Sequence, residues 1–505
     1  MIKGFKKLKA VFGGHSDHPL ADAEGLRQAL ADLPLSAPLK TLQEVIVWLE
    51  SLAATEDVPV DRRFDIVRQF EAVMQPLWRH LLALYFQNLS LHRAEVETLW
   101  TSAHRFWSLA ADAYELCGQQ LARQTDREMQ AGVATHALGA LRMQFKWRCF
   151  CYGPIPGDTW SRMGRILLAA ESLGLDVLQV DQTTARDKRS VRAEYVMAVA
   201  SQVAAMDCLH PVEMEIAERL ITYCQPAFVF GPDAERESVY WVDPATDLPP
   251  QRLARLPATL CETQRFFRPA GASEMLLTLT QQLGQGVLPD GLNLGGEYAP
   301  RVLQGVIRHL MGHLAAVPPQ RRHIRHAVAN QMNVRLGLGP VSAIFSSAGL
   351  SPAPAERWLV ENVSQGGFGA RLQRVDGNTI SVGTLLAVQP EGGANWLVGV
   401  VRRCQRRPNG EVDVGIETLA RRAETMHFVP MARAAGRNMG MVQGLVLREG
   451  GDPAEWRVVL PHATYDPRDA LAYVDADGRL QRLAPVGLIG RGSDYELAAY
   501  RPQGL

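Results

Sequence analysis

The 505-residue sequence has no excess of charge of either sign, because 53 Lys and Arg balance 53 Asp and Glu. A broadly basic surface for nucleic acid is therefore excluded. No apolar run reaches the roughly 18 residues that suggest a membrane span, and the N-terminal lysines lack the apolar stretch of a signal peptide. Seven scattered cysteines, an odd number, are typical of a reducing cytoplasm rather than of a disulfide framework. We expect a soluble cytoplasmic protein.

Catalytic motifs are also lacking. There is no Walker-type phosphate loop, no G-x-S-x-G elbow and no H-E-x-x-H, and the glycine-rich run 291–296 is not followed by a lysine. His309 and His313 are four positions apart on a predicted helix, but no nearby residue supplies the third ligand that a zinc site needs. The sequence therefore predicts neither an enzyme nor a metal site.

The length and the composition, with 47% hydrophobic and 21% charged residues, are those of about three globular domains. Periodicity predicts a multidomain α+β protein with an N-terminal helical bundle, an antiparallel β-barrel and a further C-terminal β module. The predicted segments are a basic tail and linker (1–20), a helical domain (21–224), a small β or irregular insert (225–270), a helical segment (271–319), the barrel (320–423) and the C-terminal module (424–505).

The helical domain is predicted most clearly over residues 61–86, where apolar residues recur every three or four positions and form one broad stripe. Pro76 should kink or divide this helix. Residues 1–12 alternate lysines with apolar residues, and two interpretations stay open: a frayed terminus, or a short amphipathic contact with a membrane surface.

The segment 320–423 has the pattern of a compact antiparallel β unit. Strand-like stretches cover residues 379–388, 396–403 and 411–419, and the pairs Asp376-Gly377 and Asn409-Gly410 are strong hairpin signals. This arrangement predicts a small barrel.

The first candidate binding residues are three arginines that precede these strands: Arg321, Arg322 and Arg325. A guanidinium is planar and always charged, and its fork of donors matches phosphate oxygens or the O6/N7 edge of guanine. Arginines at this spacing can surround one compact anion.

The second candidate group is a polar turn between two strands. Asn362 and Ser364 carry short donors and acceptors that suit the edge of a base. Gly366 and Gly367 permit a close approach of the backbone that a Cβ atom would block. We predict that this turn and the arginines form two sides of one pocket for a guanine-containing phosphodiester.

The order of these motifs resembles the PilZ domain family. The resemblance rests on R-x-x-x-R at Arg321 and Arg325, on N-x-S-x-x-G at Asn362, Ser364 and Gly367, and on the strands VGVVRRC and VDVGIETL. It covers about a fifth of the chain and implies a six-stranded β-barrel that binds cyclic di-GMP, with arginines on phosphate and guanine and the turn on the other guanine face. The apolar insert 336–354 lengthens the gap between the motifs, so Arg322 could replace Arg321 as the first arginine.

The resemblance implies a bacterial second-messenger receptor that couples cyclic di-GMP binding to a change in domain arrangement or in the binding of a protein partner through the helical domain. No other cofactor is expected. The alternative is a helical scaffold whose PilZ-like domain no longer binds the ligand. A hydrolase within the helical part is a weaker third hypothesis.

One short internal sequence repeat lies outside these motifs. Val242-Asp243 precedes a Gln-Arg-Leu-Ala run at 251–254, and Val474-Asp475 precedes the same run at 481–484. Either two related β modules or chance can produce it.

Overall fold

The computed structural model describes residues 18–89, 93–122, 125–181, 188–289, 291–320, 323–346, 355–373, 380–431, 440–449, 454–475 and 477–503. The chain divides into two compact units. The first contains 1–148, 156–204 and 215–318, and the second contains 149–155, 205–214 and 319–505.

The first unit is mainly helical. The helices that lie in it or enter it are α1 (Ala23–Ala31), α2 (Pro38–Ala53), α3 (Val60–Met74), α4 (Trp78–Asn88), α5 (Arg93–Leu121), α6 (Arg127–Phe150), α7 (Thr159–Ser172), α8 (Val191–Val203), α9 (Pro211–Cys224), α10 (Ala272–Gly284) and α11 (Pro300–His313). The apolar stripe predicted over 61–86 is divided between α3 and α4 next to Pro76, as its fixed φ and missing N–H require. Among the described helices, none is long and apolar enough to cross a membrane.

A cluster of charged side chains is buried among these helices. Arg142 donates to Glu194 at 2.7 Å and also to Glu218, and Lys146 contacts Glu218 from the same helix, α6. Burial alone would raise the pKa of Glu194, but Arg189 and Arg142 outweigh it and lower this pKa to about 2. Each buried carboxylate is thus held as an anion by its cationic neighbours.

The cluster predicts acid sensitivity. A carboxylate whose pKa is lower in the folded than in the unfolded chain stabilises the fold above its unfolded pKa, and this stabilisation is lost as the pH falls through the folded value. The contribution of Glu194 should therefore disappear between its ordinary pKa of 4.5 and about 2. We expect the difference in free energy of unfolding between the wild type and Glu194→Gln, measured by urea unfolding with circular dichroism, to shrink over this range. A difference that is independent of pH would contradict this role.

The first unit also contains small sheets. A two-stranded sheet pairs β1 (Val180–Asp181) with β2 (Lys188–Arg189). An antiparallel sheet of order β3-β6-β4-β5 consists of β3 (Val229–Gly231), β4 (Tyr240–Val242), β5 (Gln251–Arg252) and β6 (Arg265–Arg268).

The second unit contains the predicted barrel. Six antiparallel strands close in the order β10-β11-β12-β9-β8-β7, and they are β7 (His326–Leu336), β8 (Glu356–Ser364), β9 (Gly367–Leu372), β10 (Leu385–Pro390), β11 (Leu397–Arg406) and β12 (Val412–Ala420). The hairpin at Asn409-Gly410 joins β11 to β12, whereas Asp376-Gly377 lies outside the described residues. Residue 379, where a strand was predicted to begin, lies outside the described residues, and β10 begins only at Leu385, because Gly383 turns the chain at a φ of +82°. The predicted strand start was wrong for this reason.

The apolar insert contains a short helix, α12 (Leu338–Ile344). Its Leu338 and Val341 are buried in a core cluster with Leu385, Val398 and Val400 of the barrel. The insert is therefore part of the packing of the second unit and not an exposed loop over its described length.

The C-terminal module is itself a closed barrel. Its six strands run in the order β13-β14-β15-β18-β17-β16, and they are β13 (Ala423–Pro430), β14 (Val442–Leu447), β15 (Trp456–Pro461), β16 (Leu471–Val474), β17 (Leu480–Arg491) and β18 (Tyr495–Gln503). The short internal sequence repeat corresponds to two hairpins in which an aromatic residue pairs with the glutamine of the repeat, Trp241 with Gln251 and Tyr473 with Gln481. The first hairpin belongs to an open four-stranded sheet and the second to this barrel, so the likeness ends at the hairpin.

Two short segments that precede the barrels in sequence pack with the second unit. In the segment 149–155, Tyr152 donates its hydroxyl to the carbonyl of Leu209, and the Tyr152 carbonyl accepts from the amide of Arg406 at 2.7 Å. In the segment 205–214, a 3₁₀ turn, Met206–Cys208, contacts β11. These contacts bring residues 149–155 and 205–214, which contain no predicted site residue, against β11.

Candidate ligand-binding site

A cavity of about 500 Å³ lies against the first barrel, within the second unit. Five of the predicted residues line it: Arg325, Asn362, Ser364, Gly366 and Gly367. Its volume falls within the roughly 300–1,000 Å³ of typical small-molecule sites. The other two predicted residues, Arg321 and Arg322, lie outside the described residues.

The register of β7 with β8 explains why residues about forty positions apart meet. His326 pairs with Val363, and Ala327 pairs with Asn362. Arg325 immediately precedes this first pair, so it emerges beside the end of β8 that carries Ser364. The pairing of two antiparallel strands thus joins the two motifs.

The turn between β8 and β9 has the tight geometry that its glycines suggest. Ser364 pairs with Gly367, and the Ser364 hydroxyl donates to the Gly367 carbonyl at 3.3 Å. A Cβ at position 367 would overlap the carbonyl oxygen of Ile416 on β12, so only glycine fits there. A Cβ at Gly366 would lie 3.4 Å from the ring of His323, which also lines the cavity.

A row of paired residues crosses four strands at the cavity. Asn362 on β8 pairs with Gly369 on β9, Gly369 pairs with Gly415 on β12, and Gly415 pairs with Arg403 on β11. The adjacent row is buried in the barrel interior and consists of Val360, Ala370, Val414 and Cys404. Because side chains alternate between the faces of a strand, the Asn362 row lies on the outer face. The two central glycines leave a depression between Asn362 and Arg403.

The side chain of Asn362 occupies the space that glycine leaves at position 369. A Cβ there would lie 2.6 Å from the Asn362 Oδ1 atom, which is too close for any real contact. This buried oxygen has no hydrogen-bond partner among the described residues. A buried amide oxygen without a partner costs free energy, and a ligand donor such as the N–H groups of guanine would satisfy it.

Two further arginines border the cavity, and the sequence motifs did not identify them. Arg402 donates to Glu417 at 2.6 Å, and Arg403 forms an ion pair with Asp207. Arg402 is an extra residue at a register shift between β11 and β12. This bulge allows two consecutive arginines to line the same cavity. The signal in the sequence was the strand glycines, Gly369 and Gly415, since isolated glycines in strands mark close approaches.

This arrangement is suited to a ligand that is both anionic and planar. Arginine forks on opposite sides can neutralise phosphodiester charge, and the glycine depression between them admits a flat base. Glu361, Asp413 and Glu417 also line the cavity. A bare anion would meet these carboxylates, so a ligand that also carries donors fits better.

The histidine pair belongs to the first unit and differs from this site. The ring centroids of His309 and His313 are 4.5 Å apart, and His309 Nε2 lies 2.6 Å from the Ala204 carbonyl oxygen. Burial, together with His309, lowers the pKa of His313 to about 4. Within the described part of the chain, no group of three or more His, Cys, Asp or Glu residues could hold a metal ion.

A closed six-stranded barrel with N-x-S-x-x-G at an outer cavity is the architecture of a PilZ-type module. The family model described as "Cyclic-di-GMP receptor FimW, middle PilZ domain" matches residues 350–425, which include Asn362 to Gly367 but not the arginines before β7. The model described as "Cyclic-di-GMP receptor FimW, N-terminal domain" matches residues 24–233. The two matches span more than half of the chain, which therefore belongs to the PilZ-domain cyclic di-GMP receptors of the FimW family. No curated protein matches the chain.

Proposed function

We propose that cyclic di-GMP binds in the cavity of the first barrel, with Arg325 as a cationic fork and Asn362, Ser364 and the Gly366-Gly367 turn around one guanine. One observation carries this proposal: Arg325 and the N-x-S-x-x-G residues line a single cavity although they are far apart in sequence. Arg321, or Arg322 in its place, completes the pair of arginines.

The chemistry of each group supports its proposed role. A guanidinium can bind a phosphate oxygen pair or the O6/N7 edge of guanine in a bidentate way. Once its side chain turns toward the cavity, the amide oxygen of Asn362, which is buried without a partner, accepts a guanine N–H, which an adenine ring cannot supply at the same position. The site would thus prefer guanine to adenine in a cyclic dinucleotide.

We further propose that ligand binding in the bacterial cytoplasm changes the arrangement of the domains, or the binding of a protein partner to the helical domain. A ligand can shift such an equilibrium only by its differential affinity for the two states. The segment 205–214 provides the physical route, because it packs within the second unit and continues in sequence into α9, most of which belongs to the first.

The binding site can be tested by calorimetry of the full chain with cyclic di-GMP. We expect Arg325→Ala and Ser364→Ala each to weaken binding by about 10- to 100-fold, since each removes a hydrogen bond to a charged or polar ligand group. Arg357→Ala is the matched control, because Arg357 is an exposed arginine of β8 that does not line the cavity.

Equal binding by Arg325→Ala, Ser364→Ala and the wild type would place the ligand elsewhere. No heat from the wild type at high micromolar ligand would support the alternative of a scaffold with a non-binding barrel. Cyclic di-AMP in the same titration tests the preference for guanine.

A further inference from the structure

Arg403 has an unusual position among the arginines of the first barrel. It stands at the end of the outer row that begins at Asn362, and it lines the same cavity. Its ion-pair partner, Asp207, is 196 positions away in sequence, on the turn Met206–Cys208. Cys208 of this turn also lines the cavity. The turn and the arginine therefore meet at the wall opposite the N-x-S-x-x-G residues.

The ion pair between Arg403 and Asp207 is partly open to solvent. The Arg403 side chain is 56% exposed and the Asp207 side chain 25% exposed. Burial of part of the guanidinium lowers the pKa of Arg403, but the Asp207 carboxylate outweighs this effect and raises it. Exposed ion pairs contribute only about 0–1 kcal/mol, because water competes for both partners. A phosphodiester that the rest of the site already holds would compete more effectively than water.

Arg403 differs from its neighbour Arg402 in the location of its ion-pair partner. Arg402 is paired with Glu417, and both residues belong to strands of the same barrel that are hydrogen-bonded to each other. Arg403 is instead paired with a residue outside the barrel strands. Exchange of the Arg402 partner would change only the barrel surface, whereas exchange of the Arg403 partner would remove one contact that joins the turn Met206–Cys208 to the barrel.

We propose that Arg403 is a third cationic ligand-binding residue of this site, and that it exchanges the Asp207 carboxylate for a phosphodiester of the cyclic dinucleotide when the ligand binds. This inference rests on the proposed binding site. It adds a residue outside both short motifs, and it adds a direct physical link from the ligand to the segment 205–214. In the absence of ligand, Asp207 acts as an internal competitor that keeps the guanidinium beside the cavity.

Calorimetry with cyclic di-GMP on the full chain tests the exchange through two single variants. Arg403→Ala should weaken binding by about 10- to 100-fold, because a charged hydrogen bond to the ligand is lost. Asp207→Asn should strengthen binding by about 2- to 5-fold, because the competing carboxylate is removed while the shape of the side chain is kept. If the pair only maintained the fold of the site, both changes would weaken binding.

The double variant separates exchange from a general electrostatic effect. With Asp207→Asn added to Arg403→Ala, exchange predicts no further change, whereas simple removal of a negative charge would still strengthen binding. The control is Arg501→Ala, because Arg501 is 59% exposed and pairs with Glu455, which is 20% exposed, in the second barrel. Its affinity should equal that of the wild type. Thermal unfolding of each variant verifies that the barrels remain folded.

The outcomes distinguish this inference from the proposed function. If Arg325→Ala weakens binding but Arg403→Ala does not, the binding site stands and the role of Arg403 is wrong. If Asp207→Asn weakens binding, or strengthens it equally with and without Arg403, the exchange is wrong. If the wild-type chain does not bind cyclic di-GMP, the proposed function itself fails.

Discussion

Gly369→Val is expected to weaken cyclic di-GMP binding by about 100-fold while the first barrel remains folded. A Cβ at this position would collide with the Asn362 side chain, which must then leave the cavity wall. The valine methyl groups would also fill the depression between Asn362 and Arg403. The loss of a ligand hydrogen bond together with steric exclusion explains the size of the effect. The collision should cost about 1–3 kcal/mol of stability, but the barrel should remain folded because valine is well suited to a strand.

Calorimetry and thermal unfolding of the same preparation test this prediction. The matched control is Gly487→Val in β17 of the second barrel, where no atom lies within 4 Å of an added Cβ. That variant should bind cyclic di-GMP as the wild type does. Wild-type affinity in Gly369→Val would mean that the glycine row is not part of the ligand site.

Arg142→Met is expected to destabilise the helical unit by about 3–5 kcal/mol. The substitution removes a buried cation and leaves Glu194 and Glu218 with fewer compensating charges. Such a loss is large because the remaining carboxylates must stay charged in a dry environment or take up protons. Urea unfolding followed by far-UV circular dichroism measures the effect, since this unit contains most of the helices.

An exposed ion pair in the same unit provides the comparison. Arg105 and Glu50 are about half exposed, and Arg105→Met should change the free energy of unfolding by less than about 1 kcal/mol. If Arg142→Met were equally mild, the buried cluster would not contribute to stability as its geometry indicates.

The sequence predicted those parts of the site that local patterns determine. Strand alternation and the Asn409-Gly410 turn predicted the barrel, because hairpin pairing is set by a few adjacent residues. Short polar residues and glycines between two predicted strands likewise identified one turn, which contains Asn362, Ser364, Gly366 and Gly367. Arg325 could be added because its motif directly precedes a strand, and the structure brings it to the same cavity.

Other features depend on pairing that no local pattern reveals. The row from Asn362 to Arg403 requires β9 to lie beside β12, two strands that are not consecutive. The strand glycines Gly369 and Gly415 indicate a close approach, but they do not reveal the register shift that adds Arg402 to the cavity edge. Asp207 is still harder to predict, since nothing near it in sequence indicates a contact with a strand 196 positions later.

Closure of the second barrel could not be predicted from the sequence either. Its strands were predicted one by one, but closure depends on the pairing of β13 with β16 through Val429 and Ala472. Two strands so far apart in sequence are brought together by the packing of the interior, not by a turn. The sequence therefore predicted a β module without its topology.

The most direct measurement is a crystal structure of the full chain with cyclic di-GMP. We predict density for a guanine and a phosphodiester in the cavity of the first barrel, within hydrogen-bond distance of Arg325, Asn362 and Ser364. Ligand density at another surface, with this cavity free of ligand, would contradict the proposed site.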